Sequence, residues 1–166
     1  MSAQVDPRIG MLLDELDEAF DRRSWHGTNL RGSLRGLPAR AAAWRPGPGR
    51  HNIWEIAVHA AYWKYAVWRK LAGALRGSFP LEGSNWFARP GRGEASSASA
   101  WTADVGLLVT QHRRLREAVE TLDPQALARP MSKSLHTPAF IVRGVAAHDL
   151  YHAGQIQLIK RLRKGR

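Results

Sequence analysis

The chain has 166 residues, 44% of them apolar and 23% charged, a balance that fits one globular domain spanning 1–166 with a sizeable core. It has no cysteine, which excludes disulfides, thiolate metal sites, iron–sulfur clusters and a cysteine nucleophile, so a metal could be held only by His, Asp or Glu. The net charge of +11 raises a nucleic-acid or anionic-lipid partner, but the basic residues gather in the tail at 160–166 and in seven arginines between 22 and 54 that follow an acidic segment; solvation and pairing with that segment account for them, and no specific nucleic-acid partner is expected.

Four helical segments follow in chain order, and none reads as a strand. The first runs over 7–23, with Asp6 as N-cap, Pro7 in the first helical position and an apolar stripe of Ile9, Leu12, Leu13, Leu16 and Phe20. The second starts after Asn52, which is spaced with Glu55 as a capping box, and ends at Gly73 or Gly77. Its stripe is Ile53, Ile56, His59, Trp63, Val67 and Leu71. The third covers 101–122, with Val105, Leu108, His112, Leu115, Val119 and Leu122 on one face, and stops at Asp123-Pro124. The fourth opens at Thr137-Pro138 and runs into the basic tail, with Ile141, Val145, His148, His152, Ile156, Ile159 and Leu162 aligned. Residues 24–50 and 77–100 are Gly-, Pro- and Ser-rich arms. The fold class is therefore all-α, a four-helix bundle with long connections. The acidic first turns predict no secretory leader, and no apolar run reaches the ~18 residues of a membrane span, so a cytoplasmic protein is expected.

The chemistry lies in the histidines. His148 and His152 are four residues apart, about 40° around a helix, so both imidazoles point the same way. His59 holds an equivalent inward position on the second helix. Three core-directed histidines match a three-nitrogen metal site that keeps a fourth position for water or substrate. Neutral imidazole suits zinc, nickel, copper and iron, with zinc or nickel the expected divalent ion. A pair of histidines at this spacing also fits two core side chains satisfied by hydrogen bonds, but several clustered buried imidazoles would each need a partner.

The stretch His51-Asn52-Ile53-Trp54-Glu55-Ile56-Ala57-Val58-His59 resembles the second-helix motif of the DinB/YfiT-like superfamily, and His148-Asp149-Leu150-Tyr151-His152-Ala153-Gly154-Gln155-Ile156 resembles its fourth-helix motif. The resemblance implies a four-helix bundle with a metal held by His59, His148 and His152. Members of that family include thiol-dependent transferases using bacillithiol or mycothiol and a maleylpyruvate isomerase, so it implies a metal-dependent enzyme of the thiol-dependent S-transferase or hydrolase type. A non-catalytic metal- or ligand-binding bundle is the alternative. A low-molecular-weight thiol would have to come from outside, since the chain has none of its own. The resemblance also implies a homodimer, and Trp54, Tyr65 and Trp68, lying off the second stripe, supply apolar area that could form the interface.

The neighbours of the three histidines have expected places too. Glu55 is a candidate outer partner or general base, against a capping role with Asn52. Gln155, three residues after His152, is a second candidate outer partner. Tyr62, Trp63 and His112 are candidate pocket residues that also fit ordinary core. His51 is too far along its helix to ligate, and Asp149 points about 100° away from the histidines, toward another helix or an interface. Trp25-His26-Gly27 and Ser84-Asn85-Trp86-Phe87 are loop segments able to fold over the site.

Overall fold

Helix starts are set by side chains that satisfy the unpaired amides of the first turn. In the computed structural model, which describes residues 5–74, 77, 79–91, 94–131 and 134–165, each long helix begins at such a side chain. The helices are α1 (Pro7–Phe20), α2 (Leu30–Leu34), α3 (Ala39–Ala42), α4 (Ile53–Leu71), α5 (Ala98–Glu120) and α6 (Pro138–Lys164), with one 3₁₀ turn at Pro124–Ala126. Asp6 accepts from the Arg8 amide, Asn52 from Glu55, Ser97 from Ala100 and Thr137 from Phe140. The Asn52–Glu55 capping box is complete in both directions. After α4 the chain turns at Gly73, whose φ of +61° a β-carbon would disfavour. No strand occurs among the described residues. No helix among them is long and apolar enough to cross a membrane.

α4 packs on α5 and α6, and α1 packs on the same two helices, which closes a four-helix bundle. Leu16, Leu108, Leu115, Val119 and Ile156 are fully buried along its interior. Each such side chain contributes roughly 1.5–3 kcal/mol, so the apolar stripes hold the bundle without help from a metal.

The structure departs from the expected elements in the arms. The 24–50 arm contains α2 and α3, which are too short to show a helical period. Asn29 caps α2, accepting from the Gly32 amide at 2.8 Å and donating to the Arg22 carbonyl at 2.7 Å. Leu30, Leu34, Ala41 and Ala42 are buried, so this arm is part of the core. α5 starts three residues before Trp101, because the Ser97 cap and two alanines extend it beyond its apolar stripe. Two of the seven arginines between 22 and 54 pair with the acidic first segment: Arg22 reaches Asp14 at 2.6 Å and Asp17 at 2.9 Å, and Arg31 reaches Asp21 at 3.0 Å.

α4 is covered on nearly every side over its first nine residues. The aromatics expected at a dimer interface are consequently used within the chain. Trp54 is buried and donates to Asp104 at 2.7 Å. Tyr65 is buried against Phe79, and the Arg114 guanidinium lies 3.2 Å over the Trp68 ring. Their surplus came from counting one apolar face on a helix that buries several.

Candidate metal centre

α4 contributes His59 and α6 contributes His148 and His152, and the bundle brings the three rings together with centroids 4.3–5.0 Å apart. His148 Nε2 is 3.1 Å from His59 Nε2 and 3.0 Å from His152 Nε2. One nitrogen from each ring falls within 4.8 Å of the others, a cluster able to hold a metal ion. Tetrahedral ligation at 2.0–2.1 Å separates ligand nitrogens by about 3.3 Å, so the donor set fits such an ion with small adjustments.

The outer ring nitrogens explain why the inner ones converge. His59 Nδ1 donates to the Asn85 carbonyl at 2.7 Å, and His152 Nδ1 donates to Gln155 Oε1 at 2.7 Å. With their protons held outward, both Nε2 lone pairs face inward. A neutral His148 has one proton, which cannot serve two Nε2 contacts at once, and its buried Nδ1 has no hydrogen-bond partner among the described residues. A cation at the centre would satisfy all three lone pairs.

Burial favours the uncharged form of each ring. It lowers His59, and with the charge of neighbouring rings it pushes His148 down to about 3 and His152 to about 4. The neutral imidazole that ligation requires is therefore the ground state at pH 7.

One loop residue organises the entrance. Asn85 has φ +64°, a left-handed conformation that asparagine tolerates. Its side-chain oxygen accepts from Trp63 Nε1 at 3.0 Å while its carbonyl fixes His59. Trp86, next along, stacks on His59 at 3.8 Å, and His51 stacks on the opposite face of the indole at 3.6 Å. Of the two tryptophan loops expected near the site, this is the one that folds over it; Trp25 is fully exposed.

Glu55 does not face the three imidazoles. It completes the capping box, binds Arg45 through both oxygens, and accepts from His51 Nδ1 at 2.9 Å. Burial pushes its pKa up, but the hydrogen bonds from Arg45 and His51 outweigh that and hold it below the usual carboxylate range. Its link to the cluster runs through His51 and Trp86. His51, just before the N-cap of α4, lies outside the three-histidine cluster.

A cavity of about 670 Å³ opens beside the histidines between α4 and α6. Trp63 lines it, 38% exposed, where the spacing alone favoured core. Tyr62, expected with it, lies outside: at 100° per residue it sits about 60° to the other side of His59 and packs against Phe79 and Phe87. His112 is also outside. It stacks on Phe20 at 3.8 Å, accepts from Lys64 Nζ at 3.4 Å and faces Asp17 at 3.6 Å. Burial, then the charge of Lys64, pushes it down to about 2. Lys64 in turn makes a fully buried ion pair with Asp149, which turns away from the histidines to tie α6 to α4. Burial raises Asp149 to about 6 against the pull of Lys64, so it is ionised at neutral pH.

Sequence reasoning missed the Asn85 carbonyl, and no pattern could have revealed it, because a backbone acceptor 26 residues from its imidazole leaves no trace in residue type. It also missed Lys70, Phe140 and Tyr151 on the cavity wall. The first of these was legible from the helical period, since Lys70 is only about 20° around α4 from His59.

No match to a curated protein or to a solved structure is found. Residues 9–156 match the family model of the DinB superfamily. That span runs from the first buried residue of α1 to one turn beyond the last histidine of the cluster, and the chain belongs to the DinB superfamily.

Proposed function

We propose that the protein is a metal-dependent enzyme of the thiol-dependent S-transferase or hydrolase type, acting on a small molecule in the cytoplasm, with one zinc or nickel ion held by His59, His148 and His152. The observation that carries this reading is the convergence of three neutral imidazoles, two of them with their outer protons taken up by Asn85 and Gln155, beside a cavity large enough for a substrate. A divalent ion there supplies Lewis-acid polarisation of a substrate carbonyl, or activation of a water or thiol. The chain's own residues fix the tautomers of His59 and His152, shield His59 from water under Trp86 and present an apolar wall to the substrate. Because the chain has no cysteine, a reacting thiol would be a separate small molecule.

A second reading, a non-catalytic metal- or ligand-binding bundle, is favoured by one feature: no carboxylate is among the described residues lining the cavity, so general acid–base work would fall to the histidines and Tyr151. Metal analysis of protein purified without a histidine tag, followed by a screen with low-molecular-weight thiols, separates the two. Turnover that depends on the metal supports the enzyme. A filled but inert site supports the binding module. Protein that takes up neither zinc nor nickel overturns the enzyme reading and the metal-binding form of the second.

We also propose a homodimer, supported by Phe140, Tyr151 and Leu158, which are 58–63% exposed on one face of α6. Light scattering that finds only monomer at high concentration rejects it.

A further inference from the structure

The cavity beside the histidines is a groove with distinct ends. His59 and Lys70 are eleven residues apart on α4, about 16 Å along the axis and about 20° around it, so they mark the two ends of one face. α6 runs the opposite way along the other wall, with His148 and His152 near His59 and Phe140 near Lys70. Between the ends the walls are apolar, formed by Trp63, Val67, Ile141 and Val145. Two small residues keep the groove open, Ala66 on α4 and Gly144 on α6. A β-carbon placed on Gly144 meets nothing within 4 Å. Lys70 is the one permanently charged side chain among the described residues of the lining.

We propose that this groove binds an elongated apolar monoacid, a body about 10–15 Å long whose carboxylate or other anionic group lies at Lys70 and whose opposite end reaches the three imidazoles. The body and the acid follow from the groove itself. Only the chemistry of the far end rests on the metal reading. The physical case is selection by elimination. An apolar trough rejects sugars and peptides, whose polar groups would be left unpaired against its walls. A single lysine at the end where His136 stacks on Phe140, with no carboxylate among the described lining to neutralise it, favours an anion over its amide and disfavours an amine. Because Lys70 is exposed, it contributes a modest preference, roughly three- to tenfold, and the apolar walls supply the bulk of the affinity.

The test uses the whole chain, first free of zinc, with octanoate against octanamide, read by calorimetry and by the fluorescence of Trp63 and Trp86. Octanoate is expected to bind roughly three- to tenfold more tightly than octanamide. Lys70→Met should erase that preference and leave octanamide binding unchanged. Gly144→Phe should abolish binding of both by filling the groove, with Gly144→Leu as a smaller plug should the phenyl ring disturb the helix. Zinc uptake in all three variants should match the parent. Equal affinity for acid and amide, or octanoate binding that survives both Gly144 plugs in folded protein, overturns the proposal. In zinc-loaded protein, 8-mercaptooctanoate should bind more tightly than octanoate. If it does not while the acid preference stands, the groove assignment holds and the metal reading of the histidine cluster fails.

Discussion

α4 and α6 meet at two polar clusters, and a single step along α6, from His148 to Asp149, separates them. Asp149 and Lys64 are completely buried and carry opposite charges, with a neutral His112 against the lysine and Asp17 beyond it. The histidine cluster is also buried or half-buried, but it has no opposing charges. It has three ring nitrogens facing one another, the outer protons of His59 and His152 committed elsewhere, and a cavity at its side. The first cluster is balanced in charge, although Asp149 Oδ1 has no hydrogen-bond partner among the described residues, whereas the second turns three lone pairs on one another and would be closed by a cation. Burial, perturbed titration and one orphaned polar atom are common to both, so none of these marks a functional site; uncompensated lone pairs facing one another beside a cavity do.

The sharpest way to break this contrast is to unpair the sealed cluster. Lys64→Met leaves the Asp149 carboxylate buried without its counter-ion, and loss of one partner from such a pair costs about 3–5 kcal/mol. For a chain of this size that lowers the melting temperature by roughly 10–15 °C. The double change Lys64→Met with Asp149→Leu should recover much of the loss, since an apolar pair of similar volume often matches a buried ion pair. Zinc uptake by the double variant should stay near that of the parent. Loss of zinc uptake in a stable double variant would show that the two clusters act as one.

Cutting the open cluster should do the reverse. His152→Ala removes one of the three candidate ligands and should reduce zinc affinity by more than the 10–100-fold that loss of an outer partner costs. The metal-free melting temperature should change little, because the stripes of α1, α4, α5 and α6 hold the bundle. In the parent, zinc at about 100 times its dissociation constant should add about 2.7 kcal/mol to stability, and His152→Ala should lose that increment. A zinc-binding isotherm indistinguishable from the parent's would remove His152 from the site.

The sequence disclosed these two clusters unequally. Capping residues and period-3.6 stripes gave all four long helices, and the i, i+4 spacing of His148 and His152, with His59 inward on α4, gave the open cluster. The sealed cluster was only half legible. Helical geometry turned Asp149 away from the histidines, but its partner is 85 residues distant and nothing in the sequence marks Lys64 as buried. His112 shared its stripe with Leu108 and Leu115, so a place in the pocket and a place in the core had the same pattern. Tertiary packing decided for the core by setting it against Phe20. α2 and α3 were illegible for a different reason, being too short to repeat a period.

A smaller effect probes how the open cluster is aimed. Gln155→Leu removes the acceptor that holds the His152 proton outward, while the helix and all three ligands remain. The ring is then free to rotate or to change tautomer, and zinc affinity should fall roughly 10–100-fold. Gln155→Glu, which keeps an acceptor at the same reach, should retain or raise affinity. If Leu and Glu behave alike, the hydrogen bond at 2.7 Å plays no part in directing the lone pair.

The last effect, about 1 kcal/mol per pH unit, separates the clusters by their protons. Each inward histidine has a folded pKa below its unfolded value of about 6.5, so between those values the unfolded chain binds more protons than the native one. The stability this contributes is complete above about pH 6.5 and is lost as pH falls toward the folded pKa values. Asp149 runs the other way: raised to about 6, it takes up protons in the native state first, and so offsets part of the loss between about pH 6 and 4. Near pH 5.5 a histidine held as far down as His112, His148 or His152 steepens the stability profile by about 1.2 kcal/mol per pH unit. His112, held down to about 2, is the one such histidine outside the candidate ligand set. His112→Ala should therefore flatten the urea-derived profile between pH 7 and 5 by about that amount, beyond its uniform packing cost, and leave zinc content unchanged. The sealed cluster would then titrate apart from the metal-binding one. An unaltered slope would mean that His112 is charged in the folded protein, against both its burial and the lysine beside it.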